Sequence, residues 1–162
     1  MSTTPCAEDI AAWQKRLAAQ ANNRAWDLAE AAQRTAEEDE DMLQAAHAAM
    51  YFWKRVGDAG QRAHATQLLA HVYALLHLPN PARHYLAQSQ PHFLGQPCAA
   101  WEQALAQAVA ANVAAAARDH ESHARHHAQA LQLAAALDSA EERDMLDATL
   151  RVIPDPRGGA SA

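Results

Sequence analysis

The sequence predicts an all-α protein, and three features of its 162 residues support this fold class. Alanine, which has the highest helix propensity, accounts for 43 residues, whereas the strand-favouring residues valine and isoleucine together account for seven. Only five glycines are present, which leaves few positions for the tight turns that connect strands. Ile10, Trp13 and Leu17 also recur at the spacing that places apolar side chains on one face of a helix.

Capping residues and helix breakers divide the chain into about seven helices. Thr35 and Ser139 are each followed three residues later by a glutamate, Glu38 or Glu142, which is the pattern of a capping box at a helix start. Asn80 precedes a proline and is expected to cap the fourth helix. We expect helices over residues 5–33, 36–56, 59–77, 81–91, 97–118, 120–137 and 140–153.

The expected connections between these helices are short, and this determines the domain organisation. Short loops make helices that are neighbours in the sequence antiparallel in space, so the helices should pair as hairpins. We therefore expect a single helical domain over residues 1–153. Residues 154–162 contain two prolines and two glycines, and we expect them to form a disordered C-terminal tail.

One segment, over residues 61–90, resembles a tetratricopeptide repeat, in which small residues let two antiparallel helices approach closely. The matching positions are Leu69, Ala70, Tyr73, Ala82, Leu86 and Ser89. A fainter second copy places Ala111 and Ala124 where the first has Leu69 and Ala82. The segment from Trp26 to Trp53 is also similar to small uncharacterised bacterial proteins of tetratricopeptide-like fold. The resemblance implies a right-handed α-solenoid of stacked helical hairpins.

The same resemblance implies a groove that binds a peptide or a protein segment. His64, Gln67 and His71 share one face of the third helix, which corresponds to the concave face of that family. Leu75 would extend this stripe, and Val109 and Val113 would face it from the fifth helix. The alternative interpretation of this face is an ordinary solvent-exposed helix surface.

A cluster of histidines suggests a second kind of site. His120, His123 and His127 lie three and four residues apart on the sixth helix, and imidazoles at this spacing can bind zinc or nickel. The alternatives are a solvated histidine-rich face and adventitious metal binding. No zinc-protease motif supports the site, because Glu121 follows His120 directly and His123 comes one residue too early.

The four tryptophans, Trp13, Trp26, Trp53 and Trp101, are expected mainly to fill the core between small alanines. Two other roles stay open for them, a ligand cage and a dimer face.

Charge and motifs exclude several classes of function. The net charge of −6 argues against a nucleic-acid partner, and no apolar run is long enough to cross a membrane. Without a recognisable signal peptide we expect a cytoplasmic protein, in which Cys6 and Cys98 are free thiols. No phosphate-binding loop, nucleophile elbow or Cys-x-x-Cys pair is present, so we expect no enzyme activity and no cofactor. The leading hypothesis is a non-catalytic module that binds a protein or peptide; the alternatives are a metal-binding or metal-sensing protein and a structural homodimer.

Overall fold

A computed structural model describes residues 7–158, which form seven α-helices and no strand. The predicted all-α class is therefore confirmed for this part of the chain. Residues 5 and 6 of the predicted first helix, including Cys6, and residues 159–162 of the predicted tail lie outside the described residues. The helices are α1 (Ala7–Ala29), α2 (Ala36–Val56), α3 (Ala59–Leu75), α4 (Pro79–Phe93), α5 (Ala100–Ala116), α6 (His120–Ala135) and α7 (Ala140–Arg151).

The caps predicted at Thr35 and Ser139 lie where the sequence places them. The Thr35 hydroxyl accepts a hydrogen bond from the Glu38 amide at 3.2 Å, and the Glu38 carboxylate accepts one from the Thr35 amide at 2.8 Å. Ser139 accepts a hydrogen bond from the Glu142 amide at 3.3 Å, which is one of the two bonds of the predicted capping box. Each bond satisfies an amide that has no carbonyl partner in the first helical turn, and this local geometry fixes where α2 and α7 begin.

The junction between α3 and α4 differs from the prediction. His77 has a φ of 58° and ends α3, because its amide and that of Leu78 donate back to the carbonyls of Ala74 and Tyr73. The fourth helix then begins at Pro79 without a side-chain cap, so the predicted cap at Asn80 is wrong. Proline fits the first turn of a helix because its missing amide hydrogen would have no partner there. The helix therefore starts two residues earlier than expected.

Helices α3 and α5 occupy the centre of the fold. Helix α3 contacts α1, α2, α4 and α5, and helix α5 contacts α3, α4, α6 and α7. Most of their side chains are consequently buried on every face, as in the run from residue 65 to residue 72. The many alanines allow close approach between these helices, and the larger Leu68, Leu69 and Val109 fill the remaining space.

The apolar face predicted from Ile10, Trp13 and Leu17 lies outside this core. All three side chains of α1 are exposed, Trp13 to 62% of its surface. No described helix combines the length and the apolar character needed to span a membrane.

Candidate functional site

Four of the six predicted groove residues are buried. Gln67 and His71 in α3, and Val109 and Val113 in α5, each expose no more than 2% of their surface. The indole of Trp26 stacks on the His71 imidazole, with ring centroids 5.5 Å apart, so α1 covers this face of α3. These four residues therefore do not line a surface groove, and the prediction that they do is wrong.

His64 lies instead at a cleft between several helices, which we call the tryptophan cleft. The cleft has a volume of about 470 Å³, within the range of small-ligand sites. Its side chains come from α1, α2, α3, α5 and α7 and from Glu30, the residue that follows α1. The residues that define it are Trp26, Trp53, Trp101, His64, Glu30 and Thr149.

Stacked imidazoles hold two of the three indoles in this cleft. The rings of His64 and Trp101 are nearly parallel, with an interplanar angle of 10° and centroids 5.4 Å apart. Trp26 stacks on His71, which is itself fully buried. Because packed neighbours restrict both rings, the aromatic walls of the cleft are in place before any ligand arrives.

A hydrogen bond to Glu102 positions His64. The His64 Nε2–H donates to Glu102 Oε1 at 2.8 Å, and Glu102 Oε2 accepts from the Ala99 amide at 2.9 Å. Burial alone would raise the pKa of Glu102, but the bonds from His64 and Ala99 hold this pKa below its usual value. The carboxylate of Glu102 thus fixes the imidazole and caps α5 at the same time, since Ala99 has no side chain that could do so.

Glu30 provides a carboxylate in the same cleft. The Thr149 hydroxyl donates to its Oε1 at 3.4 Å. Burial raises the pKa of Glu30, and the negative charge of nearby Asp27 raises it further, whereas the Thr149 bond and Arg151 oppose the change. Glu30 forms no ion pair with any other residue of the described chain.

Beneath Trp26 lies a buried polar cluster of Gln67, His71 and Asn112. The Asn112 side-chain amide donates to His71 Nδ1 at 3.1 Å, so the imidazole proton resides on Nε2. His71 Nε2 and both polar atoms of the Gln67 amide have no hydrogen-bond partner in the described chain. Burial, together with the positive charge of Arg34, lowers the pKa of His71 to about 3, which keeps the ring neutral near pH 7.

Leu75, the last of the predicted groove residues, borders a second cleft of about 370 Å³ at the other end of α3. Arg34, His77 and Arg151 also line this second cleft, and Arg34 is paired with Asp39. The predicted stripe is thus split, with His64 in the tryptophan cleft, Leu75 in the second cleft and buried residues between them.

The histidines of α6 are not arranged as a metal site. His120 is exposed, His123 and His127 are nearly buried, and the rings of the last two are 6.0 Å apart. The His123 Nε2–H donates to the Pro154 carbonyl at 2.8 Å, which occupies one of its two nitrogens. Within residues 7–158, no three His, Cys, Asp or Glu side chains are grouped so that they could hold a metal ion. The structure therefore does not bring the three predicted ligands together.

Cys98 is a free cysteine beside the first turn of α5. Its thiol donates to the Phe93 carbonyl at 3.2 Å. Burial and the charge of Glu102 raise the pKa of this thiol, so it stays protonated near pH 7 and is a poor nucleophile.

Sequence reasoning missed Glu30 and assigned the tryptophans mainly to the core. A signal for the cleft does exist in the spacing of its residues, because pairs four apart share a helix face. These pairs are Trp26 with Glu30, Trp101 with Leu105, and Met145 with Thr149. No protein-family model, curated protein or solved structure matches the chain.

Proposed function

We propose that the chain is a non-catalytic helical-repeat module that binds a segment of a partner protein in the tryptophan cleft. In this proposal α1–α2, α3–α4 and α5–α6 form three antiparallel hairpins that stack as a right-handed, tetratricopeptide-like solenoid, and α7 closes the array. The contacts within these three pairs, and those of α3 with α1 and α5, support such an arrangement.

The convergence of alternate helices on one cleft is the observation that carries the proposal. Helices α1, α3, α5 and α7 all contribute side chains to the tryptophan cleft, together with Trp53 from α2. Stacked hairpins form a concave surface in this way, and such surfaces bind extended partners. Tryptophan is also the residue type most enriched among those that dominate binding energy at protein interfaces.

The chemistry of the cleft fits binding better than catalysis. His64 is engaged with Glu102, and Thr149 is engaged with Glu30, so the polar groups are held in pairs around an aromatic wall. A few fixed polar groups among apolar side chains are typical of recognition sites.

Selection of peptide binders tests this proposal. Random short peptides displayed on phage are selected on the immobilised protein, and their affinities are then measured for Trp53→Ala and Tyr51→Ala. Trp53 lines the cleft, whereas Tyr51 is an exposed aromatic residue of the same helix and does not line it. We expect Trp53→Ala to weaken the selected peptides about tenfold or more, and Tyr51→Ala to leave them unchanged.

Two results would contradict the proposal. One is the absence of any enriched peptide, and the other is a set of peptides that bind Trp53→Ala as well as the original protein. Circular dichroism melting curves of both variants distinguish a loss of binding from unfolding.

The exposed face of α1 favours a second candidate, a structural homodimer. Ile10, Trp13 and Leu17 expose 48%, 62% and 42% of their surfaces along one side of the helix. Light scattering should then show a dimer at tens of micromolar that Trp13→Ala converts to a monomer. A monomer in the original protein at that concentration would refute this candidate.

A further inference from the structure

The three indoles of the tryptophan cleft are suited to one class of ligand group. An indole face carries a negative electrostatic potential and attracts organic cations more strongly than the other aromatic side chains do. Trp26, Trp53 and Trp101 all line the cleft. Because the stacked rings of His71 and His64 hold Trp26 and Trp101, a ligand does not have to order these side chains on binding.

The charges around the cleft favour a positively charged group. Glu30 lines the cleft without an ion pair in the described chain, and its carboxylate is partly removed from water. Asp27 adds a second negative charge near Glu30, and Arg151 is the cation that acts on the same carboxylate. Glu102, which does not line the cleft, is paired with His64. A cation in the cleft would therefore meet a carboxylate that has no ion-pair partner in the described chain, beside aromatic surface.

We propose that the tryptophan cleft binds an arginine side chain of the partner segment, with its guanidinium group on the Glu30 carboxylate and against the indoles. Arginine fits better than lysine because its planar group stacks on aromatic rings and donates two parallel hydrogen bonds to a carboxylate. The inference rests on the proposed function, since it names the chemical group that the partner places in the cleft.

Two small ligands, one charged and one neutral, test the inference. Nα-acetyl-arginine-methylamide carries the guanidinium group, and Nα-acetyl-citrulline-methylamide has nearly the same shape but is neutral. Each is titrated into the uniformly ¹⁵N-labelled protein while the indole N–H signals are followed by NMR. The signal of Trp13 serves as an internal control, because this indole lies on the exposed face of α1 and does not line the cleft.

We expect saturable shifts of the Trp26, Trp53 and Trp101 signals with the arginine ligand, and about tenfold weaker binding of the citrulline ligand. Glu30→Gln should reduce affinity for the arginine ligand about fivefold or more, whereas Glu37→Gln, an exposed carboxylate of α2, should not change it. The Trp13 signal should move equally little with both ligands.

Equal binding of the two ligands would overturn the inference and leave peptide binding in the cleft intact. An absence of shifts in the signals of the cleft indoles would also overturn it. So would an unchanged affinity of Glu30→Gln for the arginine ligand, because the inference places the guanidinium group on the Glu30 carboxylate. Failure of the proposed function would be seen differently, as selected peptides that bind Trp53→Ala with the same affinity as the original protein.

Discussion

Acid should destabilise this fold in part through His71, and replacing this one residue should remove its share of the pH dependence. The imidazole is fully buried, accepts a hydrogen bond from Asn112 and has a pKa of about 3. In the unfolded chain the pKa of a histidine is about 6.5. Below pH 6.5 the unfolded state therefore binds a proton that the folded state does not bind.

The sign and size of the effect follow from this difference. Stability rises with pH wherever the unfolded state binds more protons, so His71 contributes its full stabilisation above pH 6.5 and loses it as the pH falls towards 3. Between pH 7 and pH 5 the loss from this single group is about 2 kcal/mol, since each pH unit well below 6.5 is worth about 1.4 kcal/mol.

The measurement compares the original protein with His71→Gln. Glutamine does not titrate, and its side-chain oxygen can accept from the Asn112 amide in place of Nδ1. Urea unfolding followed by circular dichroism at pH 7 and pH 5 gives the free energy of unfolding under each condition. We expect the original protein to lose about 2 kcal/mol more than His71→Gln between the two pH values.

The exposed His120 provides the matched control. His120→Gln should lose as much stability between the two pH values as the original protein, because both contain His71. Contributions from partly buried histidines such as His47 and His126 are common to all the variants and cancel in the comparison. The same pH dependence in His71→Gln and in the original protein would refute the reasoning, because it would show that His71 is protonated in the folded state near pH 5.

Two further predictions concern helix ends. Thr35→Ala removes the hydroxyl that accepts from the Glu38 amide and should lower the free energy of unfolding by about 1 kcal/mol; a loss close to zero in urea unfolding would contradict this role of the cap. His77→Gly should raise the melting temperature, with up to about 1 kcal/mol of added stability, because His77 has a left-handed φ of 58° that costs little only for glycine. A lower melting temperature would show that the His77 side chain makes a stabilising contact that outweighs this strain.

Helix positions could be predicted from the sequence where the determining interaction is local. Thr35 and Ser139 cap their helices through bonds that span three residues, and such bonds can be recognised in a short segment. The start of α4 could not be predicted in the same way. Pro79 and Pro81 both fit a first turn, and the helix begins at the earlier one.

The cleft depends on packing between helices that are far apart in the sequence, and this is why it was missed. Gln67 and His71 share a polar stripe with His64, which suggested an open surface along α3. Trp26, more than 40 residues earlier, covers His71, so only the His64 end of the stripe reaches the cleft. In an alanine-rich helix such as α5, every face is apolar enough to be buried, and the spacing of residues does not show which face another helix will cover.

The two oxygens of Glu102 connect the wall of the cleft to the backbone of α5. One oxygen accepts from His64 and the other from the amide of Ala99 at the start of the helix. A ligand that moves the His64 imidazole away from Glu102 would change the strength of the hydrogen bond from the Ala99 amide to Glu102. Deuterium uptake at Ala99 would then report on occupancy of the cleft, from a position that no ligand needs to touch.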